Sequence, residues 1–530
     1  MTWIVVGREK DKIKFVSKSS MEALLPKGYY ITITEPEDSN VILRVEDSYQ
    51  DFPYNPSPMI VDMDLSPLIQ DQKCQNTILA YPIKDLKGRQ DGLVNYIRPL
   101  SVARRANQDE INKAFDCDVN EKGPKIFLGT IQGTENKILM DESGNLLTAS
   151  LPEDFFFHQT MICGKTGSGK TVSTKYLAQY FVDKMKGAVL AINVKDIDFL
   201  TMDKASNVVN DQILHEWEVL GEKARGVEST LIYYPSTINM KSNKEINRSI
   251  CKPITLDVTT IDPTSLNGIL QNISDLGAQY LPDIFRYWKE EYVPNKNDKD
   301  YFKFKNFVKW FADINRSKGD EKNLFPTKNM RGDLYDIPLH AGTASNILRN
   351  LNNSADYFDD ENGRPIDGND ILQRGKVSII DIQDERSKIF GSILLRQLLH
   401  HIEYLKTNND SKIPVLVIID EVHQFYNTES SKEALGDLDT ICRQGRSQEI
   451  GVIFSSQNPS DIPRGLSSVI NTKIFFKSDS AAVKSIGTSI TETEFENLKK
   501  GFAIVSVHDR SQLKIVKFPL SFAGVYRRNE

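Results

Sequence analysis

The eight residues Gly164-Lys165-Thr166-Gly167-Ser168-Gly169-Lys170-Thr171 restrict the fold more than any other stretch of this 530-residue chain. They fit the pattern G-x-x-x-x-G-K-[ST] at every fixed position. The flanks decide whether this is more than a Gly-rich turn. The apolar run Met161-Ile162-Cys163 leads in as a short strand. Behind it, Val172, Tyr176, Leu177, Tyr180 and Phe181 share one face of a helix at three-to-four-residue spacing. In such a strand–turn–helix unit, small residues let backbone N–H groups close around phosphate oxygens, and the positive helix end faces the same anion. Lys170 is expected to reach the β- and γ-phosphates of a nucleotide, and the Thr171 hydroxyl to hold Mg²⁺.

A second signal is Val415-Leu416-Val417-Ile418-Ile419-Asp420-Glu421: five apolar residues of a buried strand with two carboxylates at its exit. Asp420 is expected in the magnesium shell, and Glu421 as general base or positioner of the water that attacks the γ-phosphate. Lys170 and Asp420 lie 250 positions apart, a spacing that an insertion between them explains. A third signal runs from Ile441 to Pro459. Gly451 to Ser455 is another buried strand, and Gln457 lies just past its end, where a polar side chain can contact a γ-phosphate. Arg443 and Arg446 precede that strand, where either can reach a neighbouring subunit's nucleotide. His423, although close to Glu421, is assigned no role.

The rest of the chain divides around these segments. Residues 1–150 carry short β-rich runs, among them 3–6, 13–16, 29–33, 41–45, 77–81 and 94–97, which suggest a small barrel. Residues 151–261 form the first part of an α/β core, including the buried strand 188–194 ending at Lys195-Asp196, and shorter β-like runs at 231–234 and 254–258. Residues 262–370 read as a helical insertion, on the spacing of Leu266, Ile269, Leu270 and Ile273 and of Phe302, Phe307, Trp310 and Phe311. Residues 371–530 resume the core, with a strand ending at Asp381 and a helix over 387–405. No apolar run is long enough for a membrane span, and five scattered cysteines without zinc spacing fit a reduced, cytoplasmic protein. The net charge of −6 does not advertise nucleic-acid binding, although a ring can hide basic residues in its channel.

Taken together, Gly164–Thr171, the strand ending Asp420-Glu421-Val422-His423 and the run Gly445-Arg446…Gly451…Ser456-Gln457-Asn458-Pro459-Ser460-Asp461 resemble the HerA branch of the FtsK–HerA superfamily. The β-rich start resembles the HAS-barrel of that branch. The resemblance implies an α/β fold: a RecA-like P-loop NTPase core with a mainly parallel sheet, an N-terminal small β-barrel and a helical insertion. It implies an ATP-hydrolysing, Mg²⁺-dependent hexamer that translocates or unwinds DNA. Lys170, Thr171, Asp420, Glu421 and Gln457 would act within one subunit. An arginine finger would come from the next, with Arg446 the better match and Arg443 the second. It also implies a separately encoded partner, a NurA-type nuclease or a sirtuin-like effector in antiviral defence, since this chain carries neither motif. The alternative is a nucleotide-gated hexameric scaffold that activates an effector with little DNA movement. A conjugation-type DNA pump is a third reading.

Overall fold

The computed structural model describes residues 3–17, 24–34, 40–51, 75–86, 97–114, 126–132, 137–141, 143–151, 153–195, 199–208, 210–238, 244–270, 275–296, 298–315, 322–383, 387–422, 441–443, 445–462, 469–478, 492–507 and 513–526. Of the strands expected at the start, that at 94–97 falls outside them except for Ile97, and so do Asp196 and His423.

Alternation builds the first unit. In β1 (Trp3–Glu9) and β2 (Lys12–Ser17) burial alternates, with Trp3 and Val5, then Ile13 and Phe15, facing inward. With β3 (Tyr30–Thr34), β4 (Asn40–Asp51), β5 (Gln75–Asp85) and β6 (Val102–Arg105) they close a six-stranded barrel in the order β1-β2-β5-β4-β3-β6. All its pairings are antiparallel, so no edge strand is left open. Helix α1 (Gln108–Ala114) follows. Its first turn is a reciprocal cap in which Asn107 Oδ1 accepts from the Glu110 N–H at 2.9 Å and Glu110 Oε2 from the Asn107 N–H at 3.0 Å.

Sequence grouped everything up to residue 150 with the barrel, but the strands from Ile126 onward pair elsewhere. Strand β7 (Ile126–Gln132) pairs β8 (Lys137–Ile138) and β9 (Thr148–Leu151), and joins the core sheet at its antiparallel end.

The core sheet is built on unbroken apolar runs, which suit strands covered on both faces. Along the chain it takes β10 (Thr160–Cys163), helix α2 (Lys170–Asp183), β11 (Ala188–Asn193), helix α3 (Asp211–Val219), β12 (Thr230–Pro235) and β13 (Cys251–Ile254). The run at 254–258 ends as a turn instead of a strand, because the Asp257 side chain accepts from the Thr259 N–H at 2.8 Å.

The inserted segment packs helices α4 (Asp275–Tyr287) and α5 (Phe304–Ile314), a hairpin of β14 (Lys322–Lys328) and β15 (Leu334–His340), and helix α6 (Ala341–Ser354). The hairpin lies between the helices of this insertion: each strand carries a proline, and the apolar residues of β15 alternate, with Ile337 and Leu339 inward. Its core is aromatic, with Phe304 stacked on Phe358 at 3.8 Å and Phe285 edge-on to Phe307 at 5.0 Å.

The sheet then continues through β16 (Val377–Asp381), helix α7 (Ser387–Thr407), β17 (Val415–Asp420), β18 (Ile450–Ser456), β19 (Thr472–Phe476), β20 (Phe502–Ser506) and β21 (Leu513–Lys517). Its spatial order is β13-β12-β16-β11-β17-β18-β10-β19-β20-β21-β7-β8. From β13 to β19 the strands are parallel; from β19 onward they are antiparallel. Alternate residues of the central strands fall into two apolar clusters. Leu190, Val417 and Phe454 pack with Ile393 and Leu398 of α7, whereas Val189, Leu416 and Ile453 pack with Leu177 and Phe181 of α2. Among the described residues no helix is long and apolar enough to cross a membrane.

Candidate active site

Four neighbouring parallel strands, in the order β11-β17-β18-β10, bring their carboxyl ends together. Open α/β sheets bind ligands at this edge. The register fixes the levels: Cys163 of β10 lies beside Ser456 of β18, and Asp420 of β17 beside Ser455. The turn after β10, the two carboxylates at the end of β17 and Gln457 after β18 therefore emerge within one residue of the same height.

The turn Gly164–Gly169 is made possible by its glycines. Gly167 and Gly169 have φ of +79° and +115°. A Cβ on Gly164 would stand 2.7 Å from Phe476 Cβ and 2.7 Å from Ser168 Oγ, and one on Gly169 2.9 Å from the Gly501 nitrogen. The loop is braced from behind. The Gly501 N–H donates to Ser168 O at 2.8 Å, the Lys165 N–H to Lys477 O at 2.7 Å, and the Phe518 N–H to Gly501 O at 2.9 Å. Lys165, Thr166 and Gly167 are exposed at the tip, while Ser168, Gly169 and Lys170 are buried.

Lys170 opens α2 and folds back, donating to the carbonyl oxygens of Gly164 and, at 3.4 Å, Lys165. Burial pulls its pKa below the usual lysine value, against the opposing pull of Asp420 and Glu421. An anion in the loop would supply the counter-charge that these carbonyls only partly replace. Ser168 Oγ, buried in the same cradle without a hydrogen-bond partner, fits the same occupant. Thr171 follows Lys170 on the first turn and is half-buried; Asp420 is buried. A hydroxyl and a carboxylate are hard oxygen donors of the kind Mg²⁺ takes, so the residues present fit that ion.

Glu421 is the most constrained member. It is 3% exposed and has φ of +47°, a left-handed backbone that costs a non-glycine residue on the order of 1 kcal/mol. Gln457 Nε2 donates to its Oε1 at 3.1 Å, and the Lys195 ammonium donates to that same oxygen. Gln457 is held by the turn that follows it: Ser456 Oγ donates to the Asp461 carboxylate, and the Asn458 N–H donates to Asp461 Oδ2 at 3.1 Å. Nearby, burial pushes the Cys163 thiol up to about 12, which leaves it inert.

Sequence reasoning noted Lys195 only as a polar residue at a strand end. It missed Gln159, one residue ahead of β10. The Gln159 side chain donates to Cys442 O at 3.3 Å and accepts from the Val452 N–H at 2.8 Å. It thereby ties the phosphate-loop strand to β18 and to the helical turns that carry Arg443 and Arg446. Both arginine side chains are exposed, outside the cluster formed by Lys195, Glu421 and Gln457. His158 is buried, 3.7 Å from Asp154.

Residues 345–500 match the model of the family described as Helicase HerA-like C-terminal. Two curated relatives carry the name DNA double-strand break repair helicase HerA. That of Sulfurisphaera tokodaii is 28% identical over 170 residues, 29% of this chain and 34% of the relative. That of Saccharolobus solfataricus is 24% identical over 154 residues, 28% of this chain and 31% of the relative. The chain thus spans about a third of the length of the curated relatives it matches. Among solved structures, VirB4 of Thermoanaerobacter pseudethanolicus aligns at TM-score 0.44 and 13% identity, over 76% of this chain and 97% of that one. The bacterial conjugative coupling protein TrwB aligns at TM-score 0.47 and 12% identity, over 81% and 94%. The matched region 345–500 contains Asp420, Glu421, Arg443, Arg446 and Gln457.

Proposed function

We propose that this chain, a HerA-type P-loop ATPase, hydrolyses ATP and uses the turnover to move along DNA. The observation that carries the reading is the convergence of Lys170, Asp420, Glu421 and Gln457 at one edge of four adjacent parallel strands. In this reading the loop amides of Gly164, Lys165, Thr166, Gly167, Ser168 and Gly169 take the phosphates. Lys170 leaves its two carbonyl acceptors for the β- and γ-phosphate oxygens. Thr171 and Asp420 hold Mg²⁺, which when bound neutralises charge on the phosphates. Glu421 accepts a hydrogen bond from water and aims it at the γ-phosphate, taking its proton as the water oxygen bonds to phosphorus and the bond to the β–γ bridging oxygen breaks, with ADP as the leaving group. Gln457, already on Glu421, passes the loss of the γ-phosphate to β18 and the turn at Asn458–Asp461.

Exposure of Arg443 and Arg446 on the turns before β18 suits donation to a neighbouring subunit's nucleotide, and thus a ring. The names of the curated relatives support DNA as the track, and a separately encoded nuclease or sirtuin-like effector remains part of the proposal. The test is ATP turnover by the purified chain with and without double-stranded DNA, alongside its native mass. Turnover that rises with DNA in a ring-sized particle is expected. A ring whose turnover ignores DNA would remove the motor and leave the gated scaffold.

A further inference from the structure

Arg443 and Arg446 are exposed, yet the turns that carry them are seated on one buried side chain. Gln159, immediately ahead of β10, is 1% exposed and has φ of +52°, a left-handed backbone that favours glycine. A glutamine in that conformation persists only where its surroundings over-determine it. Its Oε1 accepts from the Val452 N–H at 2.8 Å, and its Nε2 donates to Cys442 O at 3.3 Å and to Ile450 O at 3.4 Å. Its own backbone carbonyl accepts from the Thr472 N–H of β19 at 3.2 Å. One residue thus joins β10 to the strands on both its sides and to the turns that precede β18.

The seat is close-fitting. A Cβ on Gly445 would stand 2.5 Å from Ile450 O and 3.2 Å from Gln159 Nε2. Gly445 lies between the two arginines in sequence, so its missing side chain lets the arginine-bearing turns settle onto the glutamine amide. At the other end of β10 the Gly164 N–H donates to Ser456 O at 3.3 Å. The strand between these ties has only four residues, too few to bend. The phosphate loop at the carboxyl edge of the sheet and the arginines at its amino edge are therefore held to opposite ends of one short rod.

We propose that Gln159 is a positioning residue: it sets where Arg443 and Arg446 stand for the nucleotide of the neighbouring subunit, and touches no nucleotide itself. The inference rests on the ring reading above. Gln159→Leu removes the donor and the acceptor at similar size. Misplacing a group by about 1 Å can cost on the order of 10²-fold, so kcat should fall by about that much. The KM for ATP and the native mass should not change, because the variant's own loop is intact. Co-expression with Glu421→Gln separates positioning from a merely structural role. Glu421→Gln subunits do not turn over but carry seated arginines, so in mixed rings they should restore turnover at Gln159→Leu sites. The double variant Arg443→Ala/Arg446→Ala, co-expressed in the same way, is the reference. Rescue of the reference but not of Gln159→Leu overturns the assignment and leaves the trans arginine standing. So does a Gln159→Leu chain with unchanged kcat, or with a raised KM alone. A reference that is not rescued overturns the trans arginine, and this inference with it. Should Gln159→Leu not fold, Gln159→Glu carries the same test, since it keeps the acceptor for Val452 and, when ionised, loses the donor to Cys442 O.

Discussion

Glu421 Oε1 receives two donors from opposite sides of its strand: the ammonium of Lys195, at the end of β11, and the amide of Gln457, at the end of β18. The lysine side chain is 43% exposed and the glutamate side chain 4%. A solvent-reachable cation thus clasps a buried carboxylate that is proposed to act on water. While the ammonium stays there, it competes with water for that carboxylate. Lys195→Met is therefore expected to raise the DNA-free ATPase rate severalfold, with a smaller change in the DNA-stimulated rate. Steady-state turnover with and without DNA checks this. A uniform loss of activity would instead make Lys195 a contact for the phosphates.

The two side chains flanking the proposed water should separate binding from turnover. Glu421→Gln keeps the shape and the Gln457 contact but removes the base. Turnover is expected to fall on the order of 10²- to 10⁴-fold with ATP binding retained. Lys170→Ala should lose ATP binding itself. Calorimetric affinity measured beside phosphate release distinguishes these outcomes.

Gly169 and Gly501 face each other across the brace and test the loop's geometry. Both have positive φ, but only at Gly169 would a Cβ collide, 2.9 Å from the Gly501 nitrogen and 3.0 Å from its Cα. Gly501→Ala has room and should cost about 1 kcal/mol from backbone strain alone. Gly169→Ala should abolish nucleotide binding and unfold at clearly lower denaturant. Urea titrations of both variants, with ATP affinity, provide the comparison.

Glu110 gives a pH-dependent prediction away from the active site. Burial pushes its pKa up, but the Arg104 guanidinium, the Asn107 N–H and the Thr32 hydroxyl outweigh that and hold it below the usual value of 4.5. The Arg104 pair closes at 2.5 Å and 3.0 Å, and Thr32 Oγ1 donates at 3.0 Å. The folded state binds this proton less tightly than the unfolded chain. Its contribution is complete above the usual value and fades as pH falls through the depressed one. Glu110→Gln should destabilise by about 2 kcal/mol at neutral pH. The gap from the unaltered protein should narrow in acid, as read from urea midpoints across that range.

Much of this was legible in the residues, for reasons that differ by element. The phosphate loop is written in glycines whose φ and close contacts leave little alternative, and β11, β17 and β18 in apolar runs that only a two-sided core accepts. The barrel showed in a series of short β-rich runs, of which Trp3-Ile4-Val5-Val6 is the first. The hairpin β14–β15 did not: its apolar residues include the outward-facing Leu324 and Leu334, and prolines break both runs. Gln159 and Lys195 act through partners such as Val452 and Glu421, hundreds of residues away in sequence, so no local pattern marks them. The segment Leu520–Tyr526 owes its shape to contacts with Trp217, Lys175 and Ser206, and carries no periodicity of its own.

The bond from the Gly501 N–H to Ser168 O also sets an order of events during synthesis. A ribosome delivers the loop and its lysine early, the two carboxylates much later, and the brace later still. A nascent chain halted before Gly501 carries Lys170 but not the backing that shapes its cradle. ATP is thus expected to act as a ligand that recognises finished molecules, stabilising the chain only once the strands after Gly501 have closed.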